Sequence, residues 1–202
     1  MCKGYNQGMD IARPQPKRPI PDHAKKVFAG KIFEIYQWKQ VNFDGSISII
    51  EKAKRTTDSI DVLPITSEGK IILTLQEQPG MEPFIGALGG RIDPGETPLD
   101  CAKRELLEES GYAAERFELL HSENPNEKVD WANYVFLAKG LSKTQDVALE
   151  PGEKIQLVEY KFDEYMQAIT KPNFHDQPTA LFSLCAEKEP QTFSRIRAMF
   201  QS

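Results

Sequence analysis

Short β-rich runs separated by turn sequences recur along this chain, and near its middle the apolar spacing changes to a helical one. Residues 27–38 (VFAGKIFEIYQW) and 46–52 (SISIIEK) are rich in β-branched and aromatic residues and are joined through Phe43-Asp44-Gly45, a hairpin signal. A second strand pair, Ser59–Thr66 and Lys70–Glu77, is joined through Ser67-Glu68-Gly69. The loop Gln78–Pro83 follows, then a short apolar strand over Phe84–Leu88. Leu99, Ala102 and Leu106 fall on one stripe at helical spacing, which predicts a helix from about Pro98 to Ser110. Further strands are expected at Phe117–His121, Trp131–Ala138 and Ile155–Phe162. Asp163 can cap a short helix over Glu164–Ile169, and Pro178 to about Phe200 reads as a C-terminal helix. Met1 to about Asp22 is polar and punctuated by Pro14, Pro16, Pro19 and Pro21, which fits a flexible arm or an extended segment draped on the domain. Strands before and after one central helix imply the α+β class, with a mixed sheet sandwiched by helices. The corresponding divisions are 1–22 for the arm, 23–55 for an N-terminal β-hairpin, and 56–202 for the main domain with its C-terminal helix.

The central helix carries the chemistry. Asp93-Pro94-Gly95 is a turn sequence, Thr97 suits the N-cap, Pro98 the first helical position, and Asp100 completes a capping box. Gly111 sits where a left-handed residue ends a helix. Within these bounds Glu105, Glu108 and Glu109 are spaced i, i+3 and i+4, so they share one face, where like charges repel by a few tenths of a kcal/mol per pair. A cation bound there relieves that repulsion. Oxygen ligands without histidine or cysteine favour a hard divalent ion, Mg²⁺ or Mn²⁺, over Zn²⁺. Arg104 can reach Glu108 one turn on and Glu96 in the preceding loop, so its expected part is to orient carboxylates.

The spacing Gly90, five residues, Glu96, seven residues, Arg104-Glu105-Leu106-Leu107-Glu108-Glu109, one residue, Gly111 resembles the 23-residue signature of the Nudix hydrolases. The resemblance implies an α/β/α sandwich over about residues 56–170 and cleavage of a diphosphate. It implies metal ligation by Glu105 and Glu109, joined by Glu108 and by the backbone carbonyl of Gly89. Gly90, Glu96 and Gly111 match its structural positions, with Glu96 paired to Arg104. The usual aliphatic residue at the end of the motif is Tyr112 here. The N-terminal strands, the lead-in Arg55 to Pro64 and the acidic loop Glu150–Ile155 look like the ADP-ribose pyrophosphatase branch, whose N-terminal strands commonly join a homodimer interface. That branch often has arginine where this chain has Gln78, so the diphosphate is better supported than ADP-ribose. A loop glutamate of the branch points to Glu153 as general base, with Glu150 as the alternative. Arg55 and Arg91 are candidates for phosphate contacts, and Tyr36, Trp38, Phe84, Trp131 and Tyr134 for stacking on a nucleoside, although aromatics in strands more often belong to the core.

Composition narrows the classes. A 202-residue chain with 40% hydrophobic content can bury a core. A net charge of −5 argues against nucleic-acid backbone binding. Cys2, Cys101 and Cys185 are too few and too scattered for a disulfide framework or a cysteine-based zinc site. No apolar run has the length of a membrane span, and the N-terminus lacks a signal-peptide core, so the cytoplasm is the expected compartment. The expected substrate is a nucleoside diphosphate linked to another moiety, ADP-ribose or a nucleotide sugar. The alternatives are a nucleoside triphosphate or dinucleoside polyphosphate, and, from a different class, a non-catalytic nucleotide sensor.

Overall fold

The computed structural model describes residues 11–149 and 154–200. The chain begins with an antiparallel unit of β1 (Lys25–Ala29), β2 (Phe33–Val41) and β3 (Ile47–Arg55). It continues through β4 (Ser59–Pro64), β5 (Ile71–Glu77), β6 (Phe84–Gly86) and β7 (Leu88–Arg91) into helix α1 (Pro98–Ser110). Then come β8 (Tyr112–Glu123), β9 (Val129–Asp130), β10 (Asn133–Lys143) and β11 (Lys154–Tyr160), followed by α2 (Phe162–Ala168), α3 (Gln177–Glu187) and α4 (Pro190–Met199). The central sheet has the order β7-β4-β10-β8, with β4 and β10 parallel and the other pairs antiparallel, and a second sheet has the order β11-β5-β6. This is the expected α+β sandwich.

Strand alternation sorts the core into two layers. From β4, β5 and β10, Ile60, Val62, Ile72, Tyr134 and Phe136 pack on the α1 side with Ala102 and Leu106. Leu63, Ile71, Leu73, Val135 and Leu137 point the other way, into the layer completed by Phe162, Tyr165 and Phe200. Strands buried on both faces read as continuous apolar runs, as Val62–Ile65 and Ile71–Leu73 do.

Local chemistry accounts for the departures from expectation. Gly30–Ile32 turns the chain inside the stretch expected to be one strand, so the N-terminal hairpin is a three-stranded unit, extended by a parallel pairing of β3 with β9. The C-terminal helix is two helices, because Pro190 lacks an N–H and biases Glu189 to an extended conformation (φ −114°, ψ 98°). Helix α2 starts one residue before Asp163, with Lys161 at the N-cap position. Strand β8 starts at Tyr112, directly after α1, since Gly111 (φ 69°) reverses the chain in one residue. Residues 11–22 are draped on the domain. The Arg13 guanidinium donates to Asp58 (2.8 and 3.0 Å) and Asp130 (2.9 Å), and Arg18 lies over Trp38 at 5.4 Å.

Helix α3 is clasped to the central sheet by two carboxyl groups. Asp61 Oδ2 accepts from Asn133 Nδ2 (2.8 Å) and Thr179 Oγ1 (2.9 Å), and Asp176 Oδ2 accepts from the Ala87 N–H. Desolvation raises both carboxyls above the ordinary carboxylate range, Asp176 well above it, with the charge of Asp61 adding to the effect. Because the folded state holds a proton here more tightly than the unfolded chain, the pair favours folding at acid pH. It gives that advantage up as pH rises through the shifted values. Asp176→Asn keeps an acceptor for Ala87 and removes one charge. Its melting temperature should exceed the wild type's at about pH 9 and converge on it towards about pH 5, as followed by circular dichroism.

Candidate active site

Two glycines let the elements of the site close on one another. Strand β7 pairs with β4 in the register Asp61↔Gly89, Ile60↔Gly90 and Ser59↔Arg91. A Cβ on Gly89 would lie 2.2 Å from the Ile60 carbonyl oxygen, and one on Gly90 would lie 2.1 Å from Glu105 Oε1. The first glycine admits the neighbouring strand and the second admits a carboxylate. Helix α1 is held in register by its caps: Thr97 Oγ1 accepts from the Asp100 N–H (3.1 Å), and the Gly111 N–H donates to the Leu107 carbonyl (2.8 Å). With Ala102 and Leu106 docked on the sheet, Glu105 and Glu109 face β7. There Glu109 is buried, and its Oε2 accepts from the Gly89 N–H at 2.9 Å.

Arg104 organises the acidic face. Its Nε and Nη2 donate to Glu96 Oε1 and Oε2, both at 3.0 Å, while Nη1 donates to Glu105 Oε1 (2.8 Å) and Glu108 Oε2 (3.1 Å). Nη2 also reaches the Arg91 carbonyl at 3.1 Å. Glu96 Oε2 accepts from the Asp93 N–H (3.0 Å), which fastens the turn to the helix. These bonds hold the Glu96 carboxyl below its ordinary range and the Arg104 guanidinium above its own. The thiol of Cys101, beneath this network, is pushed up by burial and is unsuited to act as a nucleophile.

Among the described residues, no three Asp, Glu, His or Cys side chains already converge as a closed metal cage. A closed cage is not what Mg²⁺ requires, since it binds through one or two carboxylates and retains waters and substrate phosphates. The Glu105 carboxylate, seated where Gly90 has no side chain, with Glu108 and Glu109 on the same helix, fits that all-oxygen demand.

A cavity of about 310 Å³ opens over this face. It is lined by Gly89, Gly90, Arg91, Asp93, Arg104, Glu105, Glu108 and Glu109, and also by Lys31, Thr56, Thr57 and Ala148. Other candidates lie elsewhere. Arg55 stacks on Trp131 at 5.0 Å, and the Trp131 indole N–H donates to Ser59 Oγ at 2.9 Å. The Tyr36 hydroxyl donates to Glu34 Oε2 at 2.7 Å. Trp38 is buried beneath Arg18, and Phe84 is buried under His175, with ring centroids 4.0 Å apart and planes 7° apart. Neither lines the cavity over α1. Tyr134 belongs to the core on the α1 side. Glu150 and Glu153 lie outside the described residues.

A NUDIX domain model matches residues 55–182, more than half of the chain and all of the motif. The chain belongs to the Nudix family. It is 30% identical over 160 residues to a methanol dehydrogenase activator of Bacillus methanolicus, spanning 78% of this chain and 86% of that protein. It is 28% identical over 159 residues to an ADP-ribose pyrophosphatase of Bacillus subtilis strain 168, spanning 77% and 85% respectively. The crystal structure of an ADP compounds hydrolase superposes with a TM-score of 0.68, covering 92% of this chain and all of that one at 20% identity, which is a likeness of fold.

As a Nudix protein the chain is a hydrolase of diphosphate bonds, and its motif positions are the ones the geometry brings together. Lys31 and Thr56 gave no sequence signal: Lys31 lies far outside the motif, in a stretch that reads as strand. The Arg104–Glu96 clasp depends on planar, two-point geometry that an ammonium cannot reproduce. Arg104→Lys should therefore lower the unfolding free energy by about 1–2 kcal/mol in urea titration, although the charge is kept.

Proposed function

We propose that this Nudix protein hydrolyses the diphosphate of a nucleoside diphosphate linked to another moiety, with Mg²⁺ as its metal and ADP-ribose as the leading substrate. The observation that carries this reading is the acidic face of α1 opening onto a cavity that also holds Arg91 and Lys31. The similarity to a Bacillus subtilis ADP-ribose pyrophosphatase over most of both chains supports the choice of substrate. Nucleoside triphosphates and dinucleoside polyphosphates are the competing substrates. A sensor without activity would have no use for the full set of Glu105, Glu108 and Glu109.

Glu105 and Glu109 would hold the metal with the Gly89 carbonyl, and Glu108 would complete the shell. When bound, the ion neutralises phosphate charge and lowers the pKa of a water. The protein's own residues do the rest. The Gly89 N–H fixes Glu109, and Arg104 restrains Glu105 and Glu108, so the carboxylates are aligned before substrate arrives. A carboxylate outside the helix would take the proton from the attacking water, and Glu153 is assigned that role with Glu150 as the alternative. Support comes from the chain just before them, where Ala148 lines the cavity and its N–H donates to the Glu108 carbonyl at 2.8 Å. With ADP-ribose and Mg²⁺, the products should be AMP and ribose 5-phosphate, resolved by chromatography. Glu109→Gln should lose at least ~100-fold in kcat, the scale of removing a preorganised charge-stabilising group. A wild-type rate in that variant rejects the metal assignment, and Glu153→Gln against Glu150→Gln in the same assay identifies the base.

The homodimer is proposed through the N-terminal sheet. On one face of β1–β3, Phe28, Phe33, Val41, Ile47 and Ile49 each leave between 41% and 66% of their surface in water. Val41 pairs with Ile47 beside Ile49 at one end of this face, and Phe28 and Phe33 lie towards the other; exposed apolar groups of this kind mark an interface. Residues 11–56 carry ten Lys and Arg against four Asp and Glu, a net +6, while residues 57–202 carry 14 against 25, a net −11, so the main domain of a second copy is the electrostatically matched partner for this sheet. Sedimentation should give twice the 22.9 kDa chain mass for the wild type and the single mass for Ile47→Asp/Ile49→Asp. A monomeric wild type rejects the dimer.

A further inference from the structure

One wall of the active-site cavity is not built by the Nudix motif. Lys31, in the turn between β1 and β2, lines the cavity with Thr56 and Thr57, which link β3 to β4. The turn is fastened to that link. The Thr56 N–H donates to the Ile32 carbonyl (2.9 Å), Thr56 Oγ1 donates to the Lys31 carbonyl (2.9 Å), and the Gly30 N–H closes the turn on the Phe33 carbonyl (2.8 Å). The link is anchored in its turn, since Asp58 accepts from the Ala132 N–H (2.9 Å) and the Arg13 guanidinium. Lys31 is therefore an exposed side chain on a backbone held at two successive carbonyls.

The charges around the cavity give this placement a chemical meaning. Glu105, Glu108, Glu109 and Asp93 make one side acidic, and Arg104 is already committed to Glu96, Glu105 and Glu108. Lys31 and Arg91 also line the cavity, and neither forms an ion pair among the described residues. A diphosphate bound in this cavity would meet metal at the carboxylates and carries further negative charge that a cation of the lining can offset. An ammonium on a flexible stem, with three donors, suits a phosphate oxygen whose position shifts during cleavage.

We infer that Lys31 is a substrate-binding residue that grips a diphosphate oxygen, that Thr56 is the positioning residue that aims it, and that both act on the active site of their own chain. The inference rests on the diphosphatase reading above. Action in cis follows from the connection: residues 56–58 span at most about 10 Å, and β3 is paired with β9 of the same chain at Ala53↔Val129 and Lys54↔Asp130. The basic N-terminal sheet thus takes part in substrate binding as well as in the proposed association.

The test is steady-state kinetics of full-length variants with ADP-ribose and Mg²⁺. Lys31→Met should raise KM roughly tenfold or more with kcat within about threefold, the signature of lost binding common to ground and transition states. Lys31→Arg should restore most of the affinity, and Thr56→Val should raise KM by about threefold with every charge retained, a shift that simple loss of stability would not confine to KM. An unchanged KM in Lys31→Met overturns the inference while leaving the diphosphatase reading intact. Co-expression of Lys31→Met with Glu109→Gln chains, carrying different tags and purified as mixed pairs, reads the cis assignment. Each site then carries one defect and no low-KM component is expected; its appearance would mean that Lys31 serves the partner chain. If wild type cleaves no diphosphate, that reading fails separately. Calorimetric binding of inorganic pyrophosphate with Mg²⁺ then decides for Lys31, with equal affinity in wild type and Lys31→Met rejecting it.

Discussion

The site depends on how closely the Gly89–Gly90 segment of β7 lies against both β4 and α1. Any side chain at Gly89 would strike the Ile60 carbonyl, and any at Gly90 would strike the Glu105 carboxylate. That contact brings a helix face of three glutamates up to a strand edge, where the Gly89 N–H can hold Glu109 at 2.9 Å. Like charges so placed are unfavourable in isolation. Arg104 offsets the cost by bonding three carboxylates at once, and the clasp on Glu96 extends the restraint to the turn that starts the helix. Fold stability and readiness for a cation therefore draw on one network.

The remainder of the molecule supplies what that network lacks. The motif contributes the carboxylates and Arg91 at the end of β7, and Lys31 comes from the turn between β1 and β2 of the N-terminal sheet. That sheet is held to the core by the short link through Thr56 and Asp58, by the β3–β9 pairing, and by the arm in which Arg13 joins Asp58 to Asp130. On the far side of the central sheet, Asp61 and Asp176 fix α3 through polar contacts in a desolvated setting. Their preference for the protonated form makes that face sensitive to pH, independently of the acidic face of α1.

Patterning failed in the sequence where one residue overrode its neighbours. Glycine at position 30 sits in a stretch whose composition is otherwise that of a strand, so the turn placing Lys31 was invisible to periodicity. Pro190 broke a helix that its apolar content would have continued. For the aromatics of the N-terminal strands and of β6, composition favours the core without naming what they touch. The fold supplies those neighbours, Arg18 over Trp38 and His175 over Phe84.

By itself the sequence determined the α+β class, the limits of α1, the shared face of Glu105, Glu108 and Glu109, and membership of the Nudix family. These follow from local spacing and capping, which act over a few residues and need no knowledge of the rest of the chain. The tertiary structure alone decided which distant groups meet that face. Lys31 and Thr56 reach the cavity through a strand turn and a three-residue link, Ala148 by a hydrogen bond to the end of α1, and Arg55 is diverted onto Trp131. Such meetings depend on sheet order and register, which arise from long-range pairing that no short window of residues encodes.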